Sequence, residues 1–253
     1  DAFSHKQIRE ETAQLALDAF VRFRKVADDH GAERIRAVAT SAMREASNSD
    51  MLCDRINRAT GIEIETISGE EEARLIHLAV SSAVPLKNKR AMLIDIGGGS
   101  VEVTLSQGGN ILSTESYNMG TVRLLEKLRD KPAKLPFDEL VREYAESARY
   151  RIEREVKKKK IDLCIGTGGN IEEMGELRKK LFKRDSDSAI TFEELEKLSK
   201  ILSQMTVEER RRKFKLRPDR ADVILPAVIV LKMIVKEARV DEVKIPKVGL
   251  KDG

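Results

Sequence analysis

Two carboxylates on either side of a glycine-rich turn are the residues of this chain best suited to chemistry. Asp95 ends an apolar run, and Glu102 follows in a segment where apolar and polar residues alternate. The turn between them consists of Gly97, Gly98, Gly99 and Ser100. Backbone N–H groups of successive glycines can approach an oxyanion closely, because no Cβ atom intervenes. The pattern predicts a phosphate site in this turn, with Asp95 and Glu102 able to hold a divalent cation against the phosphate; a purely structural hairpin is the alternative.

An acidic helix start supplies a candidate general base. Ser68 is a good N-cap, and Glu71 falls at the capping-box position, so Glu71 has a structural role. Glu72 shares a helix face with Leu75 and Ile76, and that face is predicted to point inward. A carboxylate at this position could activate water as a general base. An acidic first turn that complements the helix dipole would use the same residues, and the spacing leaves both interpretations open.

The end of an early predicted strand carries hydroxyl groups and an arginine. Thr40 and Ser41 end this strand, and Arg44 follows. The Arg44 guanidinium could fork onto phosphate oxygens while a hydroxyl of Thr40 or Ser41 donates a hydrogen bond. A capped turn with a surface arginine is the alternative, and the segment taken alone favours it.

A second glycine loop lies between a predicted strand and a predicted helix. Its central residues are Gly168, Gly169 and Asn170. A helix N-terminus after such a loop is a generic seat for phosphate, although many loops of this kind need glycine only for packing. Together with the first turn, it could hold one polyphosphate chain at two points. A further helix start at Gly120 and Thr121 places Arg123 where it could face a cleft.

The elements that must position these residues predict an α/β fold. In the first part of the chain, helices and strands alternate as in an α/β layer. A long helix is predicted from a cap at Ser4 to Gly31, and strands follow at 34–40 and 62–67, with a short helix at 50–59 between them. The apolar stripe of the long helix comprises Ile8, Leu15, Ala19, Phe23 and Val26.

The second part of the chain begins with a predicted three-stranded meander over residues 91–117, because its apolar residues alternate and Gln107 to Asn110 form a turn signal. Further strands are predicted at 161–165 and from 243. Further helices are predicted at 120–129, at 138–159, after the capping boxes Thr191/Glu194 and Thr206/Glu209, and at 222–235.

A basic segment with one proline, Val84–Arg90, indicates a domain boundary. We therefore expect a first α/β domain at 1–87 and a second, with helical insertions, at 88–246. The tail at 247–253 is expected to return to the first domain.

Composition excludes several classes of protein. The chain has 253 residues, a net charge of +4 and no apolar run of the ~18 residues that span a membrane. Cys53 and Cys164 stand apart, without metal-ligand spacing, so reduced buried thiols are expected. Only 4% of residues are aromatic and no basic recognition helix stands out, which argues against direct DNA readout.

Seven motifs together resemble one family. They are ATSAMREASN (39–48), ISGEEEARLI (67–76), LIDIGGGSVEV (93–103), NMGTVRL (118–124), GTGGN (166–170), RADVILPA (220–227) and VGLKDG (248–253). In order and content they resemble the exopolyphosphatase and guanosine pentaphosphate phosphohydrolase family of the acetate kinase, sugar kinase and actin-like superfamily. The first three are highly specific in combination, and the set covers nearly the whole chain.

The resemblance implies two ribonuclease-H-like domains around a cleft, and release of the terminal phosphate from inorganic polyphosphate or a guanosine polyphosphate with Mg²⁺. It also implies a cytoplasmic location, a link to the stringent response and a homodimer as one option. In this family the segment before the first helix carries a strand and a DxGSNS-type loop, so the first domain is expected to lack its leading hairpin.

The resemblance also implies roles for individual residues. Glu72 is similar to the catalytic base, and an alternative alignment puts Glu71 there. Asp95 and Glu102 resemble the acidic residues that bind the metal ion and position water. The residues that resemble phosphate contacts are Arg44, Gly97, Gly98, Gly99, Ser100, Gly168 and Gly169, and Asn170 replaces a small hydroxyl residue.

Two other functions remain open at the level of sequence. One is a kinase of the same superfamily, which would use these loops for ATP. The other is a non-catalytic module that binds polyphosphate or a guanosine alarmone.

Overall fold

The computed structural model describes residues 2–129, 141 and 146–253. These residues form two compact units, which divide between Glu72 and Ala73. The domain bounds 1–87 and 88–246 stay a prediction. The predicted helix at 138–159 lies partly outside the described residues.

The first unit contains a small parallel sheet and several helices. Its elements are α1 (Ala2–His5), α2 (Glu10–Asp29), β1 (Ala37–Ala39), α3 (Ser41–Glu45), α4 (Ser49–Thr60) and β2 (Ile64–Thr66). Strand β1 pairs with β2 in parallel, with Ala37 opposite Ile64 and Ala39 opposite Thr66. Helix α5 (Gly69–Ala83) begins in this unit and continues in the second. The predicted alternation of strands and helices is therefore present, with shorter strands than expected.

The long N-terminal helix differs from its prediction in two ways. A break separates α1 from α2. The predicted stripe is wrong within α2, because Leu15 and Phe23 are 69% and 60% exposed, whereas Ile8, just before α2, packs against the core of the unit. The inward face instead carries Ala13, Leu17 and Phe20, which pack in one cluster with residues of α4. Both sets recur at helical spacing, so the sequence alone offers two competing apolar faces, and tertiary packing selects between them.

The second unit is built on a six-stranded mixed sheet. Its remaining strands and helices are β3 (Arg90–Ile96), β4 (Val101–Gln107), β5 (Asn110–Tyr117), α6 (Thr121–Arg129), α7 (Glu146–Lys158), β6 (Leu163–Thr167), α8 (Gly169–Phe182), β7 (Ala189–Thr191), α9 (Phe192–Ser203), α10 (Val207–Phe214), α11 (Pro218–Ala221), α12 (Ile224–Ala238) and β8 (Glu242–Lys244). The strand order is β5-β4-β3-β6-β8-β7. Strands β3, β6 and β8 run parallel, whereas β4, β5 and β7 pair antiparallel to their neighbours.

The meander β3–β4–β5 confirms the prediction from alternating residues. Gly108 and Gly109 both have positive φ at the β4–β5 turn, which explains why glycine occupies these positions. Helix α5 packs through Ile76 and Val80 in one cluster with Leu93 and other residues of β3 and β6. The part of α5 that belongs to the second unit is therefore anchored on the sheet.

Two capping boxes start α9 and α10 as predicted. At the first of them, Glu194 is 3% exposed, and Arg178 and Arg184 each donate to it from Nε, at 2.7 Å and 2.8 Å. Burial opposes ionisation, but hydrogen bonds from the Thr191 N–H and the two arginines lower the pKa of Glu194 to about 2. Pro226 lies in the first turn of α12, where proline leaves the helix intact.

Across the described residues, 2–129, 141 and 146–253, no helix combines the length and apolar character needed to cross a membrane.

Candidate active site

Strand pairing places the two predicted metal ligands side by side. Asp95 on β3 lies directly opposite Glu102 on β4, so both side chains project from the same face of the sheet. One carboxylate oxygen of each lies within 4.8 Å of the other. Glu102 is 2% exposed, and its Oε1 accepts a hydrogen bond of 2.8 Å from Ser116 Oγ. The turn between the strands therefore brings two acidic groups together, as the sequence predicts.

The surroundings of Asp95 work against its negative charge. Loss of water around the carboxylate raises the pKa of Asp95, and the nearby charge of Glu172 raises it further. Thr167 opposes this rise, because its Oγ1 donates a hydrogen bond of 2.7 Å to Asp95 Oδ1. A bound cation would offset the same electrostatic cost.

Asp95 and Glu102 could hold a divalent metal ion. Carboxylate oxygens are the hard donors that Mg²⁺ and Ca²⁺ prefer. Two carboxylates this close repel each other when both are ionised, and a cation between them removes the repulsion. The donor set fits a hard divalent cation, and it lacks the nitrogen and sulfur ligands that are typical of zinc sites.

The carbonyl groups of the first glycine turn point toward the start of α6. Gly97 O accepts from the N–H of Thr121 at 3.0 Å, and Gly98 O accepts from the N–H of Val122 at 2.9 Å. Gly99 O accepts a hydrogen bond of 2.7 Å from the side chain of Arg123. By contrast, the N–H groups of Gly98 and Gly99 donate to no acceptor in the part of the chain that the structure describes. These two N–H groups are available to an anion, as expected of a nest.

Gly120 is required by the contact between this turn and α6. A Cβ atom added there would lie 2.3 Å from the carbonyl carbon of Gly99 and 2.4 Å from the nitrogen of Ser100. Both neighbours are backbone atoms, which cannot swing aside as a flexible side chain can. The close approach locks the position of the turn. Ser100 itself is 3% exposed.

Arg123 makes a contact that the sequence did not predict. Its side chain is 5% exposed and its Nε donates to Gly99 O, and its possible place at a cleft stays a prediction. The guanidinium supports the turn through this hydrogen bond to a carbonyl oxygen. Arg123 is therefore a positioning residue within the second unit.

The second glycine loop lies beside the first. Strands β3 and β6 are parallel neighbours, with Asp95 opposite Thr167, so the loops at their carboxyl ends meet. Gly168 has φ +90°, and a Cβ atom there would lie 2.8 Å from Asp95 Oδ1. Asn170 Nδ2 donates to Ile96 O at 3.2 Å. Helix α8 starts at Gly169. The N–H groups of Ile171 and Glu172 donate to Gly168 O, which leaves the N–H groups of Gly169 and Asn170 for an anion.

Arg220, for which the sequence predicted no role, contacts this loop. Its Nη1 donates to Asn170 Oδ1 at 2.9 Å, and a Cβ atom at Gly169 would lie 2.3 Å from its Nη2. A guanidinium thus covers the first turn of α8. The motif RADVILPA contains this arginine, but no spacing rule connects position 220 with position 170.

In the first unit, Arg44 and Glu72 form a contact. Arg44 Nη1 donates to Glu72 Oε2 at 3.1 Å and to Ile67 O at 2.7 Å. Thr40 is the N-cap of α3 but makes no side-chain cap bond, and the following Ser41 is buried. A guanidinium therefore orients one carboxylate oxygen of Glu72.

The two neighbouring glutamates have different surroundings. The Ser68 hydroxyl accepts from the Glu71 N–H at 3.1 Å, which confirms the predicted N-cap. Glu71 Oε1 lies 4.0 Å from Arg36 Nη2 in a partly exposed ion pair. Glu72 is 8% exposed and shares its helix face with buried Leu75, as predicted.

The family of the chain follows from comparison with known proteins. Residues 3–253 match the model of the Ppx/GppA phosphatase family. The chain belongs to this family. The resemblance inferred from the seven motifs is thereby confirmed.

Curated relatives show the same likeness. The chain is 30% identical over 197 residues to a guanosine-5'-triphosphate,3'-diphosphate pyrophosphatase of Vibrio vulnificus, a match that covers 78% of this chain and 39% of the relative. It is 31% identical over 253 residues to a bifunctional 3-dehydroquinate synthase/phosphatase of Fusobacterium nucleatum, covering 92% of this chain and 36% of the relative. The chain thus spans well under half the length of these two relatives.

Solved structures confirm the predicted fold class, an α/β actin-like fold. An exopolyphosphatase from Cytophaga hutchinsonii superposes with a TM-score of 0.89 at 26% identity, covering 97% of this chain and 81% of that one. A Ppx/GppA phosphatase from Aquifex aeolicus gives a TM-score of 0.73 at 24% identity, covering 99% and 84%. The second match bears on the fold alone.

Proposed function

We propose that this protein hydrolyses the terminal phosphoanhydride bond of inorganic polyphosphate or guanosine pentaphosphate and releases phosphate. The observation that carries the proposal is the pair of adjacent glycine loops beside Asp95 and Glu102. Names of relatives support it, since one is a guanosine-5'-triphosphate,3'-diphosphate pyrophosphatase and another an exopolyphosphatase.

The glycine loops would bind the terminal phosphates. The N–H groups of Gly98 and Gly99 offer donors in the first loop, and the N-terminus of α8 offers donors and a favourable dipole in the second. Arg220 adds a positive charge beside Gly169. Phosphoryl transfer depends mainly on positioning and charge stabilisation, which such a cradle supplies.

Asp95 and Glu102 would hold Mg²⁺ in this proposal. When bound, the ion would neutralise charge that develops on the transferred phosphoryl group. Thr167 keeps the Asp95 side chain in place and favours its ionised form, through the hydrogen bond to Oδ1. Ser116 orients Glu102 through the hydrogen bond that its Oγ donates to Glu102 Oε1.

We assign the activation of water to Glu72 rather than Glu71. Glu72 is buried and its Oε2 is oriented by Arg44, so a defined carboxylate is available to accept a proton. Glu71 pairs with Arg36 near the surface and follows the N-cap. Arg44 is then a positioning residue for the base, in addition to the phosphate contact proposed for it with Thr40 and Ser41.

Phosphate release from inorganic polyphosphate and from guanosine pentaphosphate, with MgCl₂, tests the proposal. We expect Glu72→Gln to abolish release while substrate still binds, and the matched variant Glu71→Gln to retain it. Equal activity of Glu72→Gln and wild type would reject Glu72 as the base. Formation of ATP from ADP would instead identify a phosphotransferase, and binding without turnover a binding module.

The remaining proposals concern context. A cytoplasmic location would keep the free thiols of Cys53 and Cys164 reduced. A link to the stringent response and a homodimer are proposals of the same kind, and gel filtration with light scattering tests the latter.

A further inference from the structure

An exposed run of cations leads toward the second glycine loop. Five exposed basic residues and no acidic residue lie between positions 211 and 217; they are Arg211, Arg212, Lys213, Lys215 and Arg217. The net charge of the whole chain is +4, so this short run holds more positive charge than the chain's entire excess. We call these five residues the cationic segment.

Buried neighbours hold the cationic segment in a fixed orientation. Phe214 and Leu216 are 7% and 4% exposed and belong to the core of the second unit. They alternate with Lys213, Lys215 and Arg217, all of which are exposed. Anchoring of every second residue turns the intervening cations toward solvent. The segment is therefore a defined surface and not a loose tail.

The cationic segment is continuous with the candidate active site. Arg217 is the N-cap of α11, and Arg220 in the same single turn contacts Asn170 and Gly169 of the second loop. Buried Arg210 fastens α10 to α11, because its Nη1 donates to Ala221 O at 3.3 Å. A chain of negative groups that leaves the second loop beside Arg220 would meet the cationic segment next.

The ion pairs of the cationic segment are weak and easily replaced. Arg211 pairs with Glu208 at 3.4 Å and Arg217 with Asp219 at 2.9 Å, and all four side chains are more than half exposed. Exposed pairs of this kind contribute little, since water and salt screen them. A polyanion that contacts several cations at once competes well with such pairs, because it also releases counterions.

We propose that the cationic segment binds the internal phosphates of a long inorganic polyphosphate chain whose end lies at the glycine loops. This inference rests on the proposed function and specifies its substrate class, favouring long polyphosphate over a guanosine nucleotide. The stretch from Lys213 to Arg217 spans at most about 14 Å, a length over which only a repeating polyanion can engage every cation.

A charge-removal variant and a matched control test the proposal. The test variant is Arg212→Gln/Lys213→Gln/Lys215→Gln. The control, Lys179→Gln/Lys180→Gln/Lys183→Gln, removes three exposed cations at the far end of α8, about 15–21 Å along the helix from Gly169 of the second loop. Each triple includes one C-cap lysine in the left-handed region, Lys215 or Lys183, so backbone effects are balanced.

Two measurements are compared for each triple. We expect the test triple to raise KM for long polyphosphate about tenfold at low salt, from the loss of three weak charge contacts. Inorganic tripolyphosphate should keep its KM in both triples, and the control should match wild type on both substrates. Binding of long polyphosphate is measured separately by filter binding with EDTA, at several salt concentrations. For the test triple, the slope of log K against log salt concentration should be smaller in magnitude by about 2.

The outcomes separate this inference from the proposed function. Equal effects of the two triples would overturn it, because they would indicate general charge attraction. It would also be overturned if the test triple raised KM for tripolyphosphate as much as for long polyphosphate. Tighter binding of single-stranded RNA than of polyphosphate in the filter assay would overturn it as well. If no substrate is hydrolysed the proposed function fails, yet the filter-binding comparison still decides on the cationic segment.

Discussion

Substitution of Gly120 by alanine tests the geometry of the first glycine turn directly. The added Cβ atom would lie 2.3 Å from the carbonyl carbon of Gly99, whereas ordinary contact begins at 3.4 Å. The turn must therefore move by about 1 Å, a displacement that costs on the order of 100-fold in rate when it misplaces reacting groups. We expect kcat/KM for phosphate release to fall by that factor. The stability cost of such overpacking is about 1–3 kcal/mol, which leaves the protein folded for the assay if its stability is ordinary.

Gly249→Ala is the control for this experiment. A Cβ atom at Gly249 meets nothing within 4 Å, and its φ of −158° suits alanine. This variant should keep wild-type activity. Thermal unfolding of both variants separates a moved turn from an unfolded protein. Activity of Gly120→Ala within twofold of wild type, or a loss that only follows its unfolded fraction, would refute the account of the turn.

Three further predictions concern single side chains. Arg123→Met should lower kcat/KM about tenfold, because one hydrogen bond from a charged donor to the turn is lost, and Arg123→Lys should lower it less; unchanged turnover in both would contradict its positioning role. Thr167→Val removes the donor that favours ionised Asp95, so the acidic limb of the kcat/KM profile against pH should move to higher pH, and an unmoved limb counts against Asp95 as the metal ligand. The pKa of Glu194 is about 2 in the folded state and its ordinary value is 4.5. Its ionised carboxylate therefore contributes to the free energy of unfolding above pH 4.5, and this contribution is lost as the pH falls toward 2. Glu194→Gln should therefore cost up to about 3 kcal/mol in urea unfolding at pH 7 and less at pH 3.

Local patterns predicted much of the fold. The meander followed from strict alternation around a glycine turn, and the starts of α9 and α10 from their capping boxes, because each signal lies within a few residues. Strand β7 was not predicted, since three residues are too few for a periodic pattern. The prediction of the buried face of α2 was wrong, because this helix carries two apolar stripes and only one of them packs inward.

The candidate site was predictable where a motif carries its own geometry. Asp95, Glu102 and the glycine turn are brought together by one hairpin, so their spacing in the sequence translates directly into distance. Arg220 was missed because it reaches Asn170 across 50 residues, and only tertiary packing brings the two together. The hydrogen bond from Arg123 to Gly99 O was not predicted, because a helix start does not determine whether an arginine points outward or back to a carbonyl group.

The two glycine loops supply an anion with donors of different origin. At the first loop, the N-terminal N–H groups of α6, including those of Thr121 and Val122, are already used by the carbonyl groups of the turn. Only the turn's own N–H groups remain for a ligand, so this seat depends on turn geometry and tolerates no displacement. At the second loop, the N-terminus of α8 itself is the seat, with Arg220 beside it. Added salt should therefore weaken contacts at the second loop more than at the first, because dipole and charge effects near the surface are screened while short hydrogen bonds are not.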